Sequence, residues 1–503
     1  MTEQTQFIHN EESYNEHMIR KYEGQIKYGN LEIGDPDRGA PDVINLRFLE
    51  KFNIQTLKLY TNNVTSVKLR NKTIKVLTLG KYRNQFKFYL QVDDLELENL
   101  EVLDLADNKL ENNQLYNLAK FKKLHSLNIS RNNVDLTHIH SVKSLTKLSM
   151  QNCEVTDINQ ISSLVTLKEL DLSQNKGIKD ISPLCQLKSL TKLNMRQCEL
   201  KNIDQISLLI NLQDLNLSEN IGIDISPLCK LKKLIRLLIR ECDLINFNKI
   251  GLLTNLQVLD SSINILKTID SIDLLVNLKE LTISENQYTK TINITSLKYL
   301  TDLIKLNLSG CGLRQLSALK PLINLQTLEL SNNYFNNINE LQYLKSLTHL
   351  NLKNCEIVSI YSLRPLLKLE QLDISYNNIV YLDANIDQMA NLKELRVNNN
   401  LVSDFSSIEQ HPNYNNTNEN GFNIYKQKLP SFVQLFDANE SRNIESPNIQ
   451  LKQIQTQRKS FQTMFSNFKQ EINAVLNNAC QSQIQFTTKI IHIFQYLNQF
   501  GFE

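Results

Sequence analysis

Apolar positions in the middle of the chain recur in a pattern that combines a spacing of two residues with a longer period. The stretch Leu167–Asn175 reads LKELDLSQN, and it places Leu170 and Leu172 two residues apart. Side chains two apart lie on the same face of a strand, so we expect these leucines to point inward, and Glu169 and Asp171 outward. The stretch therefore predicts a short strand with one buried and one exposed face.

The same motif, L-x-x-L-x-L-x-x-(N/C), occurs fourteen times within residues 99–410, at intervals of 21 to 25 residues. One such coil cannot bury its leucines alone, whereas stacked coils share a continuous core, so the period predicts a solenoid. We number the repeats one to fourteen by their first leucines, which are Leu100, Leu124, Leu145, Leu167, Leu190, Leu212, Leu234, Leu256, Leu278, Leu303, Leu325, Leu347, Leu369 and Leu392.

The second half of each repeat returns the chain to the next strand. The stretch 181–187 reads ISPLCQL, which supplies further apolar residues for the core. Pro183, and Pro227 in the corresponding place two repeats later, suit the first turn of a short helix or 3-10 segment. The predicted fold is α/β: a curved parallel sheet on a concave face, and short helices or 3-10 turns on the convex face.

The last position of the motif is always asparagine or cysteine. There the chain leaves the strand and turns inward, so its backbone groups need new partners. An asparagine amide offers both a donor and an acceptor, and a small buried cysteine can replace it with a weak S–H donor. We predict a structural ladder of Asn108, Asn132, Cys153, Asn175, Cys198, Asn220, Cys242, Asn264, Asn286, Cys311, Asn333, Cys355, Asn377 and Asn400. These positions account for five of the eight cysteines.

These motifs resemble those of leucine-rich-repeat proteins with 22-residue repeats. Residues 180–184 and 224–228 both read DISPL, which is similar to repeats of bacterial internalins and of the leucine-rich regulatory subunit of type-one protein phosphatase. The resemblance covers about residues 100–410. It implies a curved solenoid that binds protein partners on its concave sheet and has no catalysis of its own.

The segments before the repeats have a different pattern. Residues 1–42 read as a polar tail followed by a helix around 16–28. Within 43–98, apolar triplets recur every ten residues between 54 and 79, which is long enough for a strand and a turn but not for a helix. Alternation at 86–92 predicts a further strand. We interpret 43–98 as a β cap of short repeats, and a separate small β domain is the alternative.

The segments after the repeats predict a cap and a helix. Residues 411–440 resemble the C-terminal cap of the same repeat class, with His411 where asparagine is usual and with an enlarged asparagine-rich loop. In 448–503, apolar residues between Phe461 and Phe500 alternate at spacings of four and three, which predicts a heptad-patterned helix. Such a coiled-coil stripe requires a partner, which can be a second copy, the solenoid itself or another protein.

Composition narrows the functional classes. Lysine plus arginine is 55 against 53 for aspartate plus glutamate, and a net charge of +2 gives no reason to expect nucleic acid or an anionic membrane as partner. The polar, acidic N-terminal stretch and the absence of a long apolar run lead us to expect a cytoplasmic protein. We expect no metal, no cofactor and no catalytic residues, because neighbouring repeats replace cysteine with asparagine and no phosphate loop occurs.

The exposed strand positions carry more specific information. The residue before the second leucine alternates in sign through Lys147, Glu169, Lys192, Asp214 and Arg236, which predicts a ladder of opposite charges between neighbouring strands. The alternation then ends in repeats seven to nine, where apolar residues lie beside arginines. We predict a partner-binding centre there. The predicted contact residues on the concave face are Arg236, Leu238, Arg240, Val258, Asp260, Ile263 and, as a lesser candidate in repeat thirteen, Tyr376.

Two functions fit this pattern. The first is a non-enzymatic scaffold or adaptor that binds partner proteins, of unknown identity, on the concave face and self-associates through 461–500. The second is a regulatory subunit that targets an enzyme such as a type-one protein phosphatase. An extracellular adhesin is disfavoured by the N-terminal sequence and by the predicted buried thiols.

Overall fold

The structure is a computed structural model that describes residues 20, 24–25, 28–33, 43–60, 66–80, 91–247, 249–286, 291–335, 337–382, 384–402, 408, 411 and 423–425. The predicted heptad track at 461–500 and the asparagine-rich loop lie outside the described residues. Most of the predicted N-terminal helix, and residues 86–90 of the strand predicted at 86–92, also lie outside them.

Each of the fourteen repeats contributes one three-residue strand that begins two residues after its first leucine. All of these strands pair in parallel with their neighbours in chain order. They are β7 Val102–Asp104, β8 Ser126–Asn128, β9 Lys147–Ser149, β10 Glu169–Asp171, β11 Lys192–Asn194, β12 Asp214–Asn216, β13 Arg236–Leu238, β14 Val258–Asp260, β15 Glu280–Thr282, β16 Lys305–Asn307, β17 Thr327–Glu329, β18 His349–Asn351, β19 Gln371–Asp373 and β20 Glu394–Arg396. The predicted parallel sheet is therefore confirmed.

The return segments are 3-10 rather than α-helical. They are η3 Asn112–Leu115, η4 Leu118–Lys120, η5 Ile139–Ser141, η6 Asn159–Ser163, η7 Ser182–Gln186, η8 Asp204–Leu208, η9 Ser226–Lys230, η10 Ile250–Leu252, η11 Asp270–Ile272, η12 Thr295–Tyr299, η13 Ser317–Leu319, η14 Asn339–Tyr343, η15 Tyr361–Leu363 and η16 Ile386–Gln388. Pro183 and Pro227 lie in the first turn of η7 and η9, as predicted. Three to five residues are enough for a 3-10 turn, whereas an α-helix needs more length to be stable.

Leucines from the strands and from the 3-10 segments fill one continuous core. In repeat four, Leu167 and Leu172 are fully buried, and Leu170 is 2% exposed. Leu184 of η7 and Leu187 after it are also fully buried, so both halves of the coil contribute. Each stacked coil therefore covers the apolar residues of the one before it.

Asparagine amides join consecutive repeats at the inner turn. The Oδ1 atom of Asn175 accepts hydrogen bonds from the backbone N–H groups of Cys153 (2.9 Å) and Val155 (3.0 Å) in the preceding repeat. Its Nδ2 donates to the carbonyl oxygens of Met150 and Leu172, at 2.8 Å each. One buried side chain thus satisfies backbone groups of two coils that would otherwise be buried without partners.

Cysteine takes over only the donor half of this role. The Sγ of Cys198 lies 3.2 Å from the carbonyl oxygen of Leu172, where asparagine Nδ2 would donate. A thiol is a weak acceptor, so it cannot replace the amide oxygen. Each of the five ladder cysteines is followed in the next repeat by an asparagine whose Oδ1 accepts the cysteine N–H, and these asparagines are Asn175, Asn220, Asn264, Asn333 and Asn377.

Burial keeps the ladder thiols protonated. Removal from water raises the pKa of Cys153, Cys198 and Cys242 to about 11, and that of Cys311 and Cys355 to about 12. Each thiol therefore keeps the proton that it donates, and none is poised to act as a nucleophile at neutral pH.

A second ladder, which was not predicted from the sequence, lies where the chain enters each strand. The Nδ2 of Asn211 donates to the carbonyl oxygen of Lys188 in the preceding repeat, at 2.9 Å. Asn255, Asn277, Asn324 and Asn391 repeat this contact. The sequence does contain a signal for it, since asparagine directly precedes the first leucine in all five of these repeats.

The N-terminal segment continues the sheet. Its strands are β1 Asn30–Ile33, β2 Val43–Asn45, β3 Thr56–Tyr60, β4 Ser66–Arg70, β5 Val76–Gly80 and β6 Leu95–Glu96. β1, β3 and β5 extend the repeat sheet through the pairing of Val76 with Val102, whereas β2, β4 and β6 form a separate three-stranded sheet. This continuity favours the cap over a separate domain. The strand β1 was not predicted, because the segment 1–42 was interpreted as a tail and a helix.

The C-terminal end of the long sheet is also extended beyond the repeats. Strand β21, Asn423–Tyr425, pairs in parallel with β20 and is the last of the eighteen strands that the described residues contribute to this sheet. Of the predicted cap at 411–440, only His411 and this strand are described. His411 is 3% exposed, and its Nε2 donates to the carbonyl oxygen of Met389 at 3.0 Å. A histidine N–H thus serves here as a buried donor near the last coil.

Replacing the acceptor and replacing the donor of the ladder should have unequal effects. We expect Asn175→Cys to lower the free energy of unfolding by roughly 2–5 kcal/mol, because two buried N–H groups lose their acceptor. The reverse change, Cys198→Asn, retains a donor and should cost less than half as much. Urea unfolding of both variants measures the difference; equal losses would contradict the division of roles.

Candidate functional site

The outward side chains of the strands form a surface that we call the sheet face. Each repeat contributes the residue before its second leucine, the residue between its second and third leucines, and the two residues that follow the third. In repeat four these are Glu169, Asp171, Ser173 and Gln174. The four positions have different structural duties, so they are not equally available to a partner.

The first position forms the predicted charge ladder. Glu169 lies opposite Lys147 on one side and Lys192 on the other. Its carboxylate is 3.1 Å from the Nζ of Lys147 and 3.4 Å from that of Lys192. Burial opposes the ionisation of Glu169, but the two ammonium groups outweigh it and lower its pKa. The alternation read from the sequence is confirmed at this place.

The ladder weakens toward repeat eight. Lys192 lies opposite Asp214, and the Nε of Arg236 is 3.9 Å from the Asp214 carboxylate. Burial raises the pKa of Asp214 despite Arg236 and Lys192, so this carboxylate is less well compensated than Glu169. Val258 then lies between Arg236 and Glu280 and offers neither of them a charge. An apolar side chain therefore interrupts the row.

The second position has a mainly structural role, and this role was not predicted from the sequence. The Oδ1 of Asp171 accepts the backbone N–H of Ser173 at 2.9 Å, an Asx turn that ends the strand. Asp260, a predicted partner contact, does the same: it accepts from the N–H of Ser262 at 3.0 Å and from its hydroxyl at 2.7 Å. Asp260 thus holds the turn. Nine repeats share this bond, through Asp104, Asn128, Asp171, Asn194, Asn216, Asp260, Asn307, Asn351 and Asp373.

Leu238 occupies this position in repeat seven and cannot form an Asx turn. The N–H of Arg240 instead donates to the Oγ of Ser218 in the preceding repeat, at 3.2 Å. The leucine side chain is half-buried on the sheet face, and the neighbouring Arg240 is exposed. The turn favours Asp or Asn at this position, but repeat seven has an apolar residue there.

The fourth position has a left-handed backbone in all fourteen repeats. Thirteen of these residues are polar residues, glycine or tyrosine, and φ lies between 52° and 62° in each. Ile263 in repeat eight, with φ 52°, is the only β-branched residue among them. Branching at Cβ makes this conformation strained, at a cost on the order of 1–2 kcal/mol. Repeat eight therefore holds an apolar side chain on the sheet face at the expense of stability.

Repeat eight also carries a polar residue in the core. Ser261 stands where the other repeats have Leu, Ile, Met or Val, and it is fully buried between the coils of Ile239 and Ile283. Its Oγ has no hydrogen-bond partner within the described part of the chain. A buried hydroxyl without a partner costs about 1–3 kcal/mol. Departures from local rules that lower stability are expected at functional sites.

The structure brings six of the seven predicted contact residues together. Arg236 and Leu238 lie on β13, Val258 lies on the adjacent β14, and Arg240 and Ile263 lie just after these strands. These five are at least partly exposed, and we call them the central patch. Asp260 lies among them as the turn residue described above.

Tyr376 lies on the same face five repeats away and is separate from the central patch. It is 50% exposed, and the Nζ of Lys353 is 5.0 Å from the centroid of its ring. A lysine over the face of a tyrosine is a cation–π contact within the solenoid, so the ring is partly engaged already. The geometry does not link Tyr376 to the patch.

Other candidate chemistry is engaged in local contacts. The ring of His138 packs edge-on against Tyr116, with centroids 5.7 Å apart, and the Nδ1 of His140 contacts the carbonyl oxygen of Leu136. Among the described residues, no group of three or more His, Cys, Asp or Glu side chains could hold a metal ion. No helix in the same residues has the length and apolar character needed to cross a membrane.

Comparison with known proteins identifies the repeats. Residues 143–186 and 166–208 match the family described as leucine-rich repeats in two copies. No curated protein matches the chain. A solved TLR13 complex with ssRNA13 is 21% identical, covers 75% of this chain and 75% of its own, and has a TM-score of 0.51.

Two bacterial structures also match. An internalin of Listeria monocytogenes is 22% identical and covers 62% of this chain and 83% of its own, with a TM-score of 0.46. A leucine-rich-repeat protein of Leptospira interrogans is 24% identical and covers 62% and 92%, with a TM-score of 0.45. The family match and the repeat geometry agree on the fold, which is that of a leucine-rich-repeat protein, as the sequence predicted.

The charge ladder can be tested by a double-mutant cycle on Glu169 and Lys192. We expect a coupling of about 0–1 kcal/mol that is largest at low salt, because both side chains are partly exposed. Acid that protonates Glu169 should abolish the coupling. A carboxylate whose pKa is lowered in the folded state stabilises the protein above its unfolded pKa, and this stabilisation is lost as the pH falls through the folded pKa. Zero coupling at neutral pH and low salt would contradict the ladder.

The strain at Ile263 predicts that a polar residue is more stable there. Asparagine tolerates a left-handed backbone, so Ile263→Asn should raise the free energy of unfolding by about 1 kcal/mol. Glu241→Asn, at the same position of the preceding repeat, is the matched control and should change it much less. Thermal and urea unfolding measure both; a destabilised Ile263→Asn protein would argue against stored strain.

Proposed function

We propose that this leucine-rich-repeat protein is a non-enzymatic scaffold that binds a protein partner on the sheet face, centred on the central patch. The single observation that carries the proposal is Ile263, a half-buried β-branched residue on the sheet face whose backbone is left-handed. Every other repeat has a different type of residue at this position. Selection for stability alone would favour asparagine or glycine there. A binding role explains why isoleucine stands at this position.

The surroundings of Ile263 support the same conclusion. Leu238 and Val258 add apolar surface on adjacent strands, and Arg240 forms no ion pair among the described residues. Apolar side chains next to an available guanidinium suit the centre of a protein interface, where arginine and large side chains contribute most of the binding energy. Elsewhere, as around Glu169, the sheet face neutralises its own charges. A partner would therefore meet its best contacts at the patch.

The proposal is tested by affinity purification of partners with the full chain and with an Arg240→Asp/Ile263→Asp variant. Each aspartate introduces a charge that a partner must desolvate, so we expect at least a tenfold loss of the bound partner. Lys353→Asp/Asn354→Asp is the matched control, because it makes the same change of charge at equivalent positions in repeat twelve.

The control should retain the partner, and circular dichroism should show that both variants are folded. A partner that is recovered equally with the patch variant and the wild type would contradict the proposal. Loss with both variants would place binding on the sheet face in general rather than at the central patch, and would equally contradict it.

A further inference from the structure

The side of the solenoid that carries the 3-10 segments has exposed apolar residues in six consecutive repeats. In each repeat a buried leucine closes the 3-10 segment, and the residues before and after it point outward. Before it stand Leu252, Leu274, Tyr299, Pro321, Tyr343 and Pro365, and after it stand Thr254, Val276, Thr301, Ile323, Lys345 and Leu367. We call the nine apolar residues among these twelve, which exclude Thr254, Thr301 and Lys345, the apolar strip.

The strip is exposed although its residues are large. Leu274 is 57% exposed, Val276 53%, Tyr299 53%, Ile323 57% and Leu367 49%. The 3-10 segments from η10 to η15 each pack against the next, so these side chains are neighbours rather than scattered residues. A contiguous exposed apolar surface of this kind is typical of an interaction site.

Of the two positions, only the one before the closing residue separates these repeats from the others, because Val165 and Ile210 are exposed apolar residues after it in repeats three and five. At the position before the closing residue, the other repeats have Ser141, Ser163, Gln186, Lys230 and, in repeat thirteen, Gln388, with Leu208 in repeat five as the exception. The fold therefore accepts serine, glutamine or lysine at this place. The apolar residues of repeats seven to twelve are not required by the packing of the coils.

Cations border the strip and contact its aromatic rings. The Nζ of Lys320 is 4.6 Å from the ring centroid of Tyr343 in the next repeat, and the Nζ of Lys298 is 4.9 Å from that of Tyr299. Beside the strip, the guanidinium of Arg364 is 4.1 Å from the ring centroid of the exposed Tyr361. Such contacts hold the charged groups beside apolar surface instead of letting them extend into water.

Positive charge predominates along this side in repeats nine to twelve. The four 3-10 segments and the turns that follow them, within 295–368, contain the cations Lys298, Lys320, Lys345, Arg364 and Lys368 but only the carboxylates Asp302 and Glu340. Asp302 is engaged by Lys279 at 2.7 Å. In repeats nine to twelve the strip thus combines apolar surface with an excess of cations, unlike the internally neutralised sheet face, whereas in repeat eight Asp270 and Asp273 precede Leu274.

We infer that the apolar strip is a second docking surface, separate from the central patch, and that it binds an acidic amphipathic helix of a partner protein. Apolar side chains of the helix would cover Leu274, Tyr299 and Ile323, and flanking carboxylates would face Lys298 and Lys320. Strands about 4.8 Å apart give six repeats a length of at least roughly 24 Å. An α-helix of about 16 residues has that length.

The test uses the full chain and synthetic peptides of about 18 residues, with binding measured by fluorescence anisotropy. One peptide has leucines at helical spacing and glutamates on the remaining faces. A scrambled peptide of the same composition lacks the apolar face, and a third peptide replaces each glutamate with lysine. We expect binding of the first peptide, at least tenfold weaker binding of the other two, and loss of affinity with rising salt.

Matched variants locate the binding. Leu274→Gln/Tyr299→Ser/Ile323→Thr introduces residues that the chain already uses at these positions, so the variant should fold, and it should bind the acidic peptide at least tenfold more weakly. Ile263→Asn, in the central patch, should bind it as the wild type does. Equal binding by the strip variant, absence of binding by the wild type, or equal binding of the lysine peptide would each overturn the inference.

A second copy of the chain is the competing occupant, and sedimentation analysis of the wild type and the strip variant distinguishes it. A dimer that dissociates in the strip variant would show that the strip is a self-interface and would overturn the acidic-helix inference. The same sedimentation coefficient for both proteins supports it, together with peptide binding.

Discussion

Every coil of this protein depends on the next one for its backbone hydrogen bonds as well as for its core. The amide of Asn175 accepts N–H groups of the preceding repeat and donates to carbonyls of both, so neither repeat is complete alone. The chain can place cysteine in this ladder only where the following repeat supplies an asparagine oxygen. Cysteine and asparagine alternate in the ladder from Cys153 to Asn264 and from Cys311 to Asn377. This alternation has a physical cause at the inner turn, since a thiol donates but hardly accepts.

This dependence fixes most of what the exposed side can do. Strand pairing in register places Glu169 between two lysines, and Asx turns occupy the next outward position in nine repeats. Much of the sheet face is thereby occupied by its own contacts. Repeats seven and eight differ. Leu238 cannot form the Asx turn, Val258 cannot form a charge pair with its neighbours, and Ile263 has a strained backbone. Losses of stability that coincide at one place are more informative about function than exposure alone.

The two surfaces differ in their physical basis. The central patch is recognised because its residues lower the stability of the fold. They stand where other repeats have a turn-forming residue, a charged residue of the ladder or a residue that tolerates a left-handed backbone. The apolar strip does not lower the stability of the fold, and only the comparison of equivalent positions between repeats reveals it. The position before the closing residue of the 3-10 segment is polar in most other repeats. A scaffold with two such surfaces could hold two partners, or two parts of one partner, on opposite sides of the same coils.

The sequence alone determined the repeats, the parallel strands, the inward leucines and the charge ladder, because each follows from a spacing of two residues or of about 22 that local geometry converts directly into a face. It did not predict strand β1 or the Asx turns. It also did not show that Asp260 holds a turn, since an acidic residue on an outward position looks the same whether or not it accepts a backbone N–H.

Only the tertiary structure decided these points. The backbone angle of Ile263 follows from the exact path of a turn. The Ser261 hydroxyl, which has no partner among the described residues, and the contact of Lys320 with the ring of Tyr343 depend on residues about 20 or more positions apart. Such features depend on where the coils stack, and a pattern of apolar and polar letters does not contain that information. The stacked coils thus showed which exposed residues serve the fold and which remain available to a partner.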